Sequence, residues 1–393
     1  MSNGLSDFYK NKSVFISGHT GFKGSWLCKI LTGFGAKVTG YSLNPPTDPN
    51  LYEIAEIGND IDSVVGDIRD YGSLKAAFDK ACPEIVIHMA AQPIVRDSYK
   101  NPRYTYETNV MGTVNILECV REYNNMHKGI GDGEYVKSFL NVTTDKVYLN
   151  REWERGYRED DELDGYDPYS NSKSCSELVT HAYTRSFFGD NGDGSVCHLF
   201  AGDNGESDSG KGSRGYIPSV STARAGNVIG GGDFANDRII PDCIRAVEKG
   251  EDIIIRNPAS IRPFQHVLEP VFAYLMIVKK QYEDRSYAGY YNVGPNVEDC
   301  INAGKMADMF VKSWGDGIKW LSKSDNGPHE ANFLHLDCKK LKDVFGWKPV
   351  WNVETAVEKT VEWYKIWHDG GDAVACMNRQ IDEFFQSEGR FSD

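Results

Sequence analysis

The chain has no run of about 18 apolar residues, so no segment of it reads as a membrane span. Its first stretch, Met1 to Lys12, is polar and lacks an apolar signal core, which points to a protein that is not exported. Paired cysteine motifs are missing as well. The nine cysteines (Cys28, Cys82, Cys119, Cys175, Cys197, Cys243, Cys300, Cys338 and Cys376) are scattered and odd in number, and none forms a CxxC. That pattern fits neither a disulfide framework nor a zinc or other metal site, and it suits a reducing, cytoplasmic compartment. Positive charge is short: 43 Lys plus Arg face 57 Asp plus Glu, a formal net charge of −14. A field of that sign disfavours nucleic acid or an anionic membrane as partner, so any anionic ligand must be held by a local arginine cluster or by backbone amides. What is present is a 393-residue chain, 40% hydrophobic and 25% charged, globular in composition and long enough for two or three domains' worth of core.

Short apolar runs bounded by turn residues alternate with helical patterns through the first half, as in an α/β protein with a parallel sheet covered by helices. Strands are expected at Ser13 to Ser17, Lys37 to Tyr41, Ser63 to Val65, Ile85 to Met89 and Ser138 to Val142. Helices are expected at Ser25 to Phe34, Tyr71 to Ala81 and Tyr104 to Tyr123, the last with Val110, Val114, Leu117 and Val120 as its apolar stripe. Gly189 to Gly215 carries eight glycines in polar company and reads as a mobile surface loop. Beyond it come strands at Ser219 to Arg224 and Asp252 to Arg256, helices from Pro270 and Ala303, and a closing helix from Val353 to Trp367.

The first strand runs into Ser17-Gly18-His19-Thr20-Gly21-Phe22-Lys23-Gly24-Ser25, a GxxGxxG turn that opens a helix. Glycines there allow a tight turn and let the backbone approach a pyrophosphate at the helix N-terminus, the arrangement of a dinucleotide site. The alternative is a turn needed only for helix–sheet packing. No carboxylate ends the second strand, where Tyr41-Ser42-Leu43-Asn44-Pro45-Pro46 stands, and no arginine or lysine replaces it, so NADP gains nothing and NAD is retained. Asp67 is then the candidate adenine contact, or else a solvated turn carboxylate.

In Asp167-Pro168-Tyr169-Ser170-Asn171-Ser172-Lys173, Asp167 suits an N-cap and Pro168 the first helical position. Tyr169 and Lys173, four apart, share a face, and an ammonium beside a phenol lowers its pKa from about 10 and makes it a base for an alcohol. In an unrelated helix such a pair is a surface contact. Thr144, Asp145 and Lys146 end the fifth strand, and the carboxyl ends of strands face the ligand crevice in doubly wound folds.

The glycine loop, Thr144 and the Tyr169/Lys173 pair resemble the extended short-chain dehydrogenase/reductase superfamily over nearly the whole chain. Within it Thr144-Asp145-Lys146, Gly165 to Lys173, Arg224-Ala225-Gly226-Asn227-Val228-Ile229-Gly230-Gly231-Gly232-Asp233 and Arg262-Pro263-Phe264-Gln265-His266-Val267 are similar to the CDP-glucose 4,6-dehydratase family. Related dTDP-glucose dehydratases carry a glutamate where this chain has Lys146. Two departures from the family stand out: the 189–215 loop is longer than the family's connection, and Phe264 stands where a tryptophan is expected.

The resemblance implies a Rossmann-like doubly wound parallel sheet with a smaller C-terminal α/β substrate-binding region. Residues 1–188 are mainly the NAD-binding domain with the catalytic residues, 189–215 the flexible insertion, and 216–393 the rest of the sheet interleaved with the nucleotide-sugar region. It implies NAD contacts from Gly18, Thr20, Gly21, Phe22, Gly24, Asp67, Ile68, Ala90, Ala91, Gln92, Asn109, Tyr169 and Lys173. Substrate contacts are implied for Gln92, Thr144, Arg224, Asn227, Arg238, Arg262 and His266, each arginine having a surface ion pair as its alternative. Tyr169 is the implied base at the sugar 4-hydroxyl, with Thr144 on the 4-oxygen, Asp145 the acid for the 6-hydroxyl and Lys146 the candidate base at C5. The implied reaction turns CDP-glucose into its 4-dehydro-6-deoxy derivative. The open alternatives are another nucleotide sugar (dTDP-, GDP- or UDP-linked) or 4-epimerisation, against which Asp145 speaks. Relatives pair the helices Tyr104 to Tyr123 and Tyr169 to Phe187 across a two-fold axis, which implies a homodimer.

Overall fold

The computed structural model describes residues 3–127, 135–189, 217–315, 317–323 and 334–388. Seven strands form one sheet: β1 (Ser13–Ser17), β2 (Lys37–Ser42), β3 (Asp62–Val65), β4 (Ile85–His88), β5 (Ser138–Thr144), β6 (Ser219–Ala225) and β7 (Tyr290–Val293). Their order is β7-β6-β5-β4-β1-β2-β3 and every pairing is parallel. This is the doubly wound α/β architecture expected, and the chain reverses direction across the sheet between β1 and β4. At such a switch point the carboxyl ends of neighbouring strands part and leave a crevice.

Period-two alternation along the strands feeds two cores, one on each face. Val14, Ile16, Ile85, Ile87 and Leu140 pack on one side, against α1 (Phe22–Gly33) and α6 (Leu268–Glu283). Phe15, Val86 and Phe139 point the other way, onto α2 (Tyr71–Ala81) and α3 (Gly112–Met126). Both faces are covered, so the central strands β1 and β4 read as short apolar runs rather than alternating ones.

Helix α3 departs from its expected form. It continues a turn that begins at Pro102, and the two are joined by a π-turn, Glu107–Met111. The extra residue in that turn rotates the buried face, so Thr113, Ile116, Leu117 and Val120 are buried while Val110 and Val114 are only half-buried. Among the described residues, two helices of ten residues or more escaped the sequence reading, along with several shorter ones. α5 (Ile239–Glu248) has Pro241 in its first turn, where the missing N–H costs nothing. α9 (Ala373–Glu388) follows the expected closing helix α8 (Val353–His368), past a Gly370-Gly371 pair that reads as a stop. The last described element is therefore α9, whose Phe384 and Phe385 pack on Phe272 of α6.

The C-terminal half returns β6 and β7 to the sheet and adds three two-stranded pairings at its carboxyl edge. These join Val228–Ile229 to Gln265–His266, Ile261–Pro263 to Cys300–Asn302, and Ile253–Ile255 to Trp320–Ser322. The expected mobile loop at 189–215 lies outside the described residues apart from Gly189.

Candidate active site

The turn after β1 is built by close approach. Gly18 has φ +84°, and a Cβ there would sit 2.8 Å from the Ala90 nitrogen. At Gly24 a Cβ would stand 2.2 Å from the Gly18 carbonyl oxygen. Gly21 starts α1 without a side-chain cap, and Thr20 donates to the Leu43 carbonyl at 2.9 Å. His19, named but given no role, points down between the strands with Nε2 2.7 Å from Ser63 Oγ. Burial drops its imidazole to about 4, so it is neutral.

Asp67 lies in the turn after β3, where Arg69 grips its carboxylate through Nε and Nη2. That hydrogen-bonded pair holds its pKa below the usual range. Ile68 is buried nearby, against Gly112. Asn109 sits inside the π-turn. Its amide accepts the Gln92 N–H at 2.8 Å and donates to Gln92 O and Ser172 Oγ, while Ser172 donates to Tyr169 O. Asn109 thereby ties the loop after β4 to the first turn of α4 (Pro168–Phe187). Gln92 spends its side chain on the backbone of Ile94.

Helix α4 starts as its sequence requires. Asp167 accepts the Ser170 N–H and hydroxyl, and Pro168 takes the first position. Tyr169 and Lys173 then line a cavity of about 600 Å³ at the carboxyl end of the sheet, with Phe22, Lys23, Ala91, Thr144, Lys146, Asn227, Arg238, Arg262 and Phe264. Desolvation lifts the Tyr169 phenol to about 12 against a hydrogen bond with Thr144. Lys173 donates to the Val142 carbonyl at 3.2 Å, and burial brings its ammonium down to about 8. The expected lowering of the tyrosine is thus reversed, because loss of solvent outweighs the charges around it.

Thr144 caps the short turn Asp145–Val147 and donates to Asp145 Oδ1 at 2.9 Å. Lys146 Nζ meets the same oxygen at 2.9 Å and Asn227 Oδ1 at 3.3 Å. Asp145 is fully buried, and its Oδ2 has no hydrogen-bond partner.

Besides Gln92, two residues expected at the substrate are structural instead. Arg224 is 0% exposed: its Nη2 donates to Glu177 at 2.9 Å and its Nη1 to Tyr148 and the Glu159 carbonyl. Burial pushes the Glu177 carboxyl up, but Arg224, the neighbouring His181 and a hydrogen bond from Thr143 prevail and hold it at about 2. His266 lies between the rings of Trp26 and Trp351, 5.8 and 4.9 Å away, and accepts the Leu268 N–H. Burial leaves it neutral, at about 3. Arg238 does line the cavity, held by Asp233 at 2.8 Å. The sequence reading missed Lys23, whose ammonium faces the cavity and is pulled to about 7 by desolvation and by Arg238 and Lys173. A charged residue inside a glycine turn was the available signal. It also missed Arg96, Asp237, Asp242 and Arg256, on the cavity wall, which carry no motif.

A phenol and two ammonium groups on one cavity, one of them paired with a carboxylate buried behind it, can move protons at a sugar, and the comparisons narrow the family. A family model described as GDP-mannose 4,6 dehydratase matches residues 15–189. The CDP-glucose 4,6-dehydratase of Salmonella typhimurium is 44% identical, over 98% of this chain and 99% of its own length. The chain belongs to the CDP-glucose 4,6-dehydratase family. A probable dTDP-glucose 4,6-dehydratase of Sinorhizobium fredii is a more distant relative, 25% identical over 89% of the chain and 92% of its own. Among solved structures, dTDP-glucose 4,6-dehydratase from Bacillus anthracis in complex with NAD superposes with TM-score 0.67 at 19% identity, covering 92% of this chain and 99% of that one. UDP-glucose 4-epimerase from Thermus thermophilus in complex with NAD gives 0.70 at 20%, covering 90% and 98%. Epimerases and dehydratases share this fold, so the family is decided by the sequence match and not by shape. Among the described residues no helix is long and apolar enough to cross a membrane.

Proposed function

We propose that the protein converts CDP-D-glucose into CDP-4-dehydro-6-deoxy-D-glucose and water, as an NAD-dependent hydro-lyase. The observation that carries this reading is the meeting of Tyr169 and Lys173 with Thr144 and Lys146 on one cavity, with Asp145 buried behind them and bonded to Lys146, in a chain 44% identical to a dehydratase of that substrate. The turn at Gly18, Gly21 and Gly24 fits a dinucleotide: it leaves no room for a Cβ at Gly18 or Gly24 and opens α1 without a side-chain cap, so backbone amides face an anion. Gly18, Thr20, Gly21, Phe22 and Gly24 hold the pyrophosphate in this reading, Asp67 and Ile68 the adenine, and Ala90 and Ala91 line the nicotinamide side. NAD, when bound, supplies the acceptor for the hydride of C4 and its return to C6, with no net oxidation.

Tyr169 takes the proton of the 4-hydroxyl while Thr144 holds the 4-oxygen. The resulting ketone acidifies the C5 proton. Lys146 can serve as base only when neutral, and its contact with Asp145 offers the route: a proton passing from Nζ to the carboxylate makes an amine and an acid at once. Asp145 then protonates the departing 6-hydroxyl as water, and Lys146 recovers its charge with the C5 proton. Asn227, Arg238 and Arg262 hold the nucleotide's phosphates. Residues 1–188 carry the NAD side and 216–393 the nucleotide-sugar side. The cavity's ligands are water-soluble metabolites, which suits a cytoplasmic enzyme.

Two copies pair in this reading through α3 and α4, which expose Met126, Leu178 and Phe187, with Met111 beside them in the π-turn. The deciding experiment offers CDP-, dTDP-, UDP- and GDP-glucose separately and follows the alkaline absorbance of a 4-keto-6-deoxy sugar. CDP-glucose is expected to have the highest kcat/KM. Preference for another nucleotide, or epimerisation without loss of water, overturns the reading.

A further inference from the structure

One wall of the cavity is made of charged residues that the proposed chemistry leaves unused. Arg256 stands directly after the strand Ile253–Ile255, at the carboxyl end of a parallel pairing, where crevice-facing residues are found. Two carboxylates flank its guanidinium. Nη1 donates to Asp237 Oδ1 at 2.6 Å, and Nη2 lies 3.6 Å from Asp242 Oδ2. Asp242 belongs to the first turn of α5, and Asp237 precedes that helix with φ +60°, a left-handed conformation that costs a residue with a side chain. Arg96 reaches the same Asp237 oxygen from the segment after β4, its Nε at 3.5 Å. The side chains of Arg256, Asp237 and Asp242 are 29%, 27% and 34% exposed, so they face the cavity space rather than a sealed core. Ile239, Pro241 and Ile255 line the cavity beside them. Apolar faces with a few fixed polar groups at one edge suit a flat heterocycle.

We infer that Arg256 and its flanking aspartates read the pairing edge of the substrate's cytosine and so set nucleotide specificity. The inference rests on the reading of the protein as a CDP-glucose dehydratase. Cytosine presents an amino donor at N4 followed by acceptors at N3 and O2. Its complement is one acceptor followed by two donors, which a carboxylate beside a guanidinium supplies in that order. Uracil and thymine present a carbonyl at position 4 and an N–H at position 3. Against this wall the carbonyl meets a carboxylate and the N–H meets another N–H. A site built on hydrogen bonds rejects such an analogue strongly, because its own polar groups are left unpaired.

The test measures kcat/KM for CDP-glucose and UDP-glucose, and inhibition by free CDP and UDP, in the wild type, Arg256→Gln, Arg256→Lys and Asp237→Asn. Arg256→Gln is expected to lower kcat/KM for CDP-glucose by about ten- to hundredfold, the span of a good bidentate base contact. The loss should lie in KM and in the CDP inhibition constant, with kcat and the UDP values changing little. Asp237→Asn places a donor beside position 4 and should shift the ratio towards UDP. Equal losses for CDP and UDP compounds, or losses confined to kcat, make the wall a structural strap and overturn the inference. Should Arg256→Gln fail to fold, Arg256→Lys decides, since it keeps the charge and loses the planar fork; undiminished CDP preference in that variant also overturns it. A wild type that uses UDP-glucose as well as CDP-glucose refutes the proposed function itself, and that is read before any substitution is made.

Discussion

Tyr169 keeps its proton at neutral pH, since desolvation holds the phenol at about 12, and Lys173, at about 8, loses its charge as pH rises past that value. The phenol therefore becomes a base only within the assembled complex. Tyr169→Phe preserves the ring and the packing, so the variant should fold and bind NAD, with turnover lower by about a hundredfold or more. Near-normal turnover in a steady-state assay would remove Tyr169 from the chemistry. Asp145→Asn tests the shared proton differently. An amide can neither take the Lys146 proton nor give one to the 6-hydroxyl, so oxidation at C4 should proceed while elimination stalls. Rapid mixing should show the near-ultraviolet absorbance of reduced nicotinamide building up, with product formation down by about two to four orders of magnitude. If Asp145→Asn blocks that absorbance as fully as Tyr169→Phe does, Asp145 acts in binding or in the first oxidation. The face shared by Tyr169 and Lys173 was legible because a helix fixes the spacing of positions four apart. The direction of the tyrosine shift was not, because it depends on walls supplied by β5 and the segment before α5. Arg224 and His266 failed for the same reason: the partners that bury them, Glu177, Trp26 and Trp351, are distant in sequence.

Local signals also decided which elements could be read. The strand–turn–helix at Ser13 to Gly33 and the Asp167-Pro168 cap of α4 are encoded within a few residues, and both form as expected. The π-turn is a product of tertiary packing that no nearby residue announces, whereas α9 has a local start signal in Asp372, whose carboxylate accepts the Ala375 N–H at 2.8 Å, masked by the Gly370-Gly371 pair before it. At the start of α6, Glu269 accepts the Val350 and Trp351 N–H groups at 2.9 and 2.7 Å and so fastens the segment that leads into α8. Burial raises its carboxyl to about 8, against those two hydrogen bonds and helped by Asp299. A raised carboxyl stays protonated in the folded state while the unfolded chain ionises, so stability falls as pH climbs from about 4.5 to about 8. Glu269→Gln keeps the accepting oxygen and cannot ionise. Urea unfolding should find the variant close to wild type at pH 5 and more stable at pH 8, by about 2 kcal/mol or more. Parallel pH profiles for the two proteins would show that Glu269 is ionised in the fold.

For the whole molecule, pairing is the first expectation. α3 and α4 lie side by side, joined by Thr113 to Ser176 at 2.8 Å and by Tyr183 to Glu118 at 2.6 Å, and their outer faces carry exposed apolar residues. Sedimentation should give a dimer at micromolar concentration, and Leu178→Glu, which puts a charge on a side chain now 52% exposed, should shift it towards monomer without unfolding it. A wild-type monomer at that concentration rules this out.

The strand order also governs how the polypeptide emerges from the ribosome. β5, buried along its whole length, sits between β4 and β6, and β6 in turn needs β7 at 290–293. When β5 has left the exit tunnel, its outer edge must wait for partners made much later, an interval on the order of ten seconds at about 5–20 residues per second. During that time a strand that is buried in the finished fold offers unpaired N–H and C=O groups to any neighbouring chain. A fragment ending at Phe188 retains this condition permanently, so on expression it should collect in the insoluble fraction while the full chain stays in solution. A soluble, monomeric fragment would mean that β5 is shielded in some other way. The nascent protein's demand for a chaperone should accordingly be greatest between synthesis of β5 and synthesis of β7.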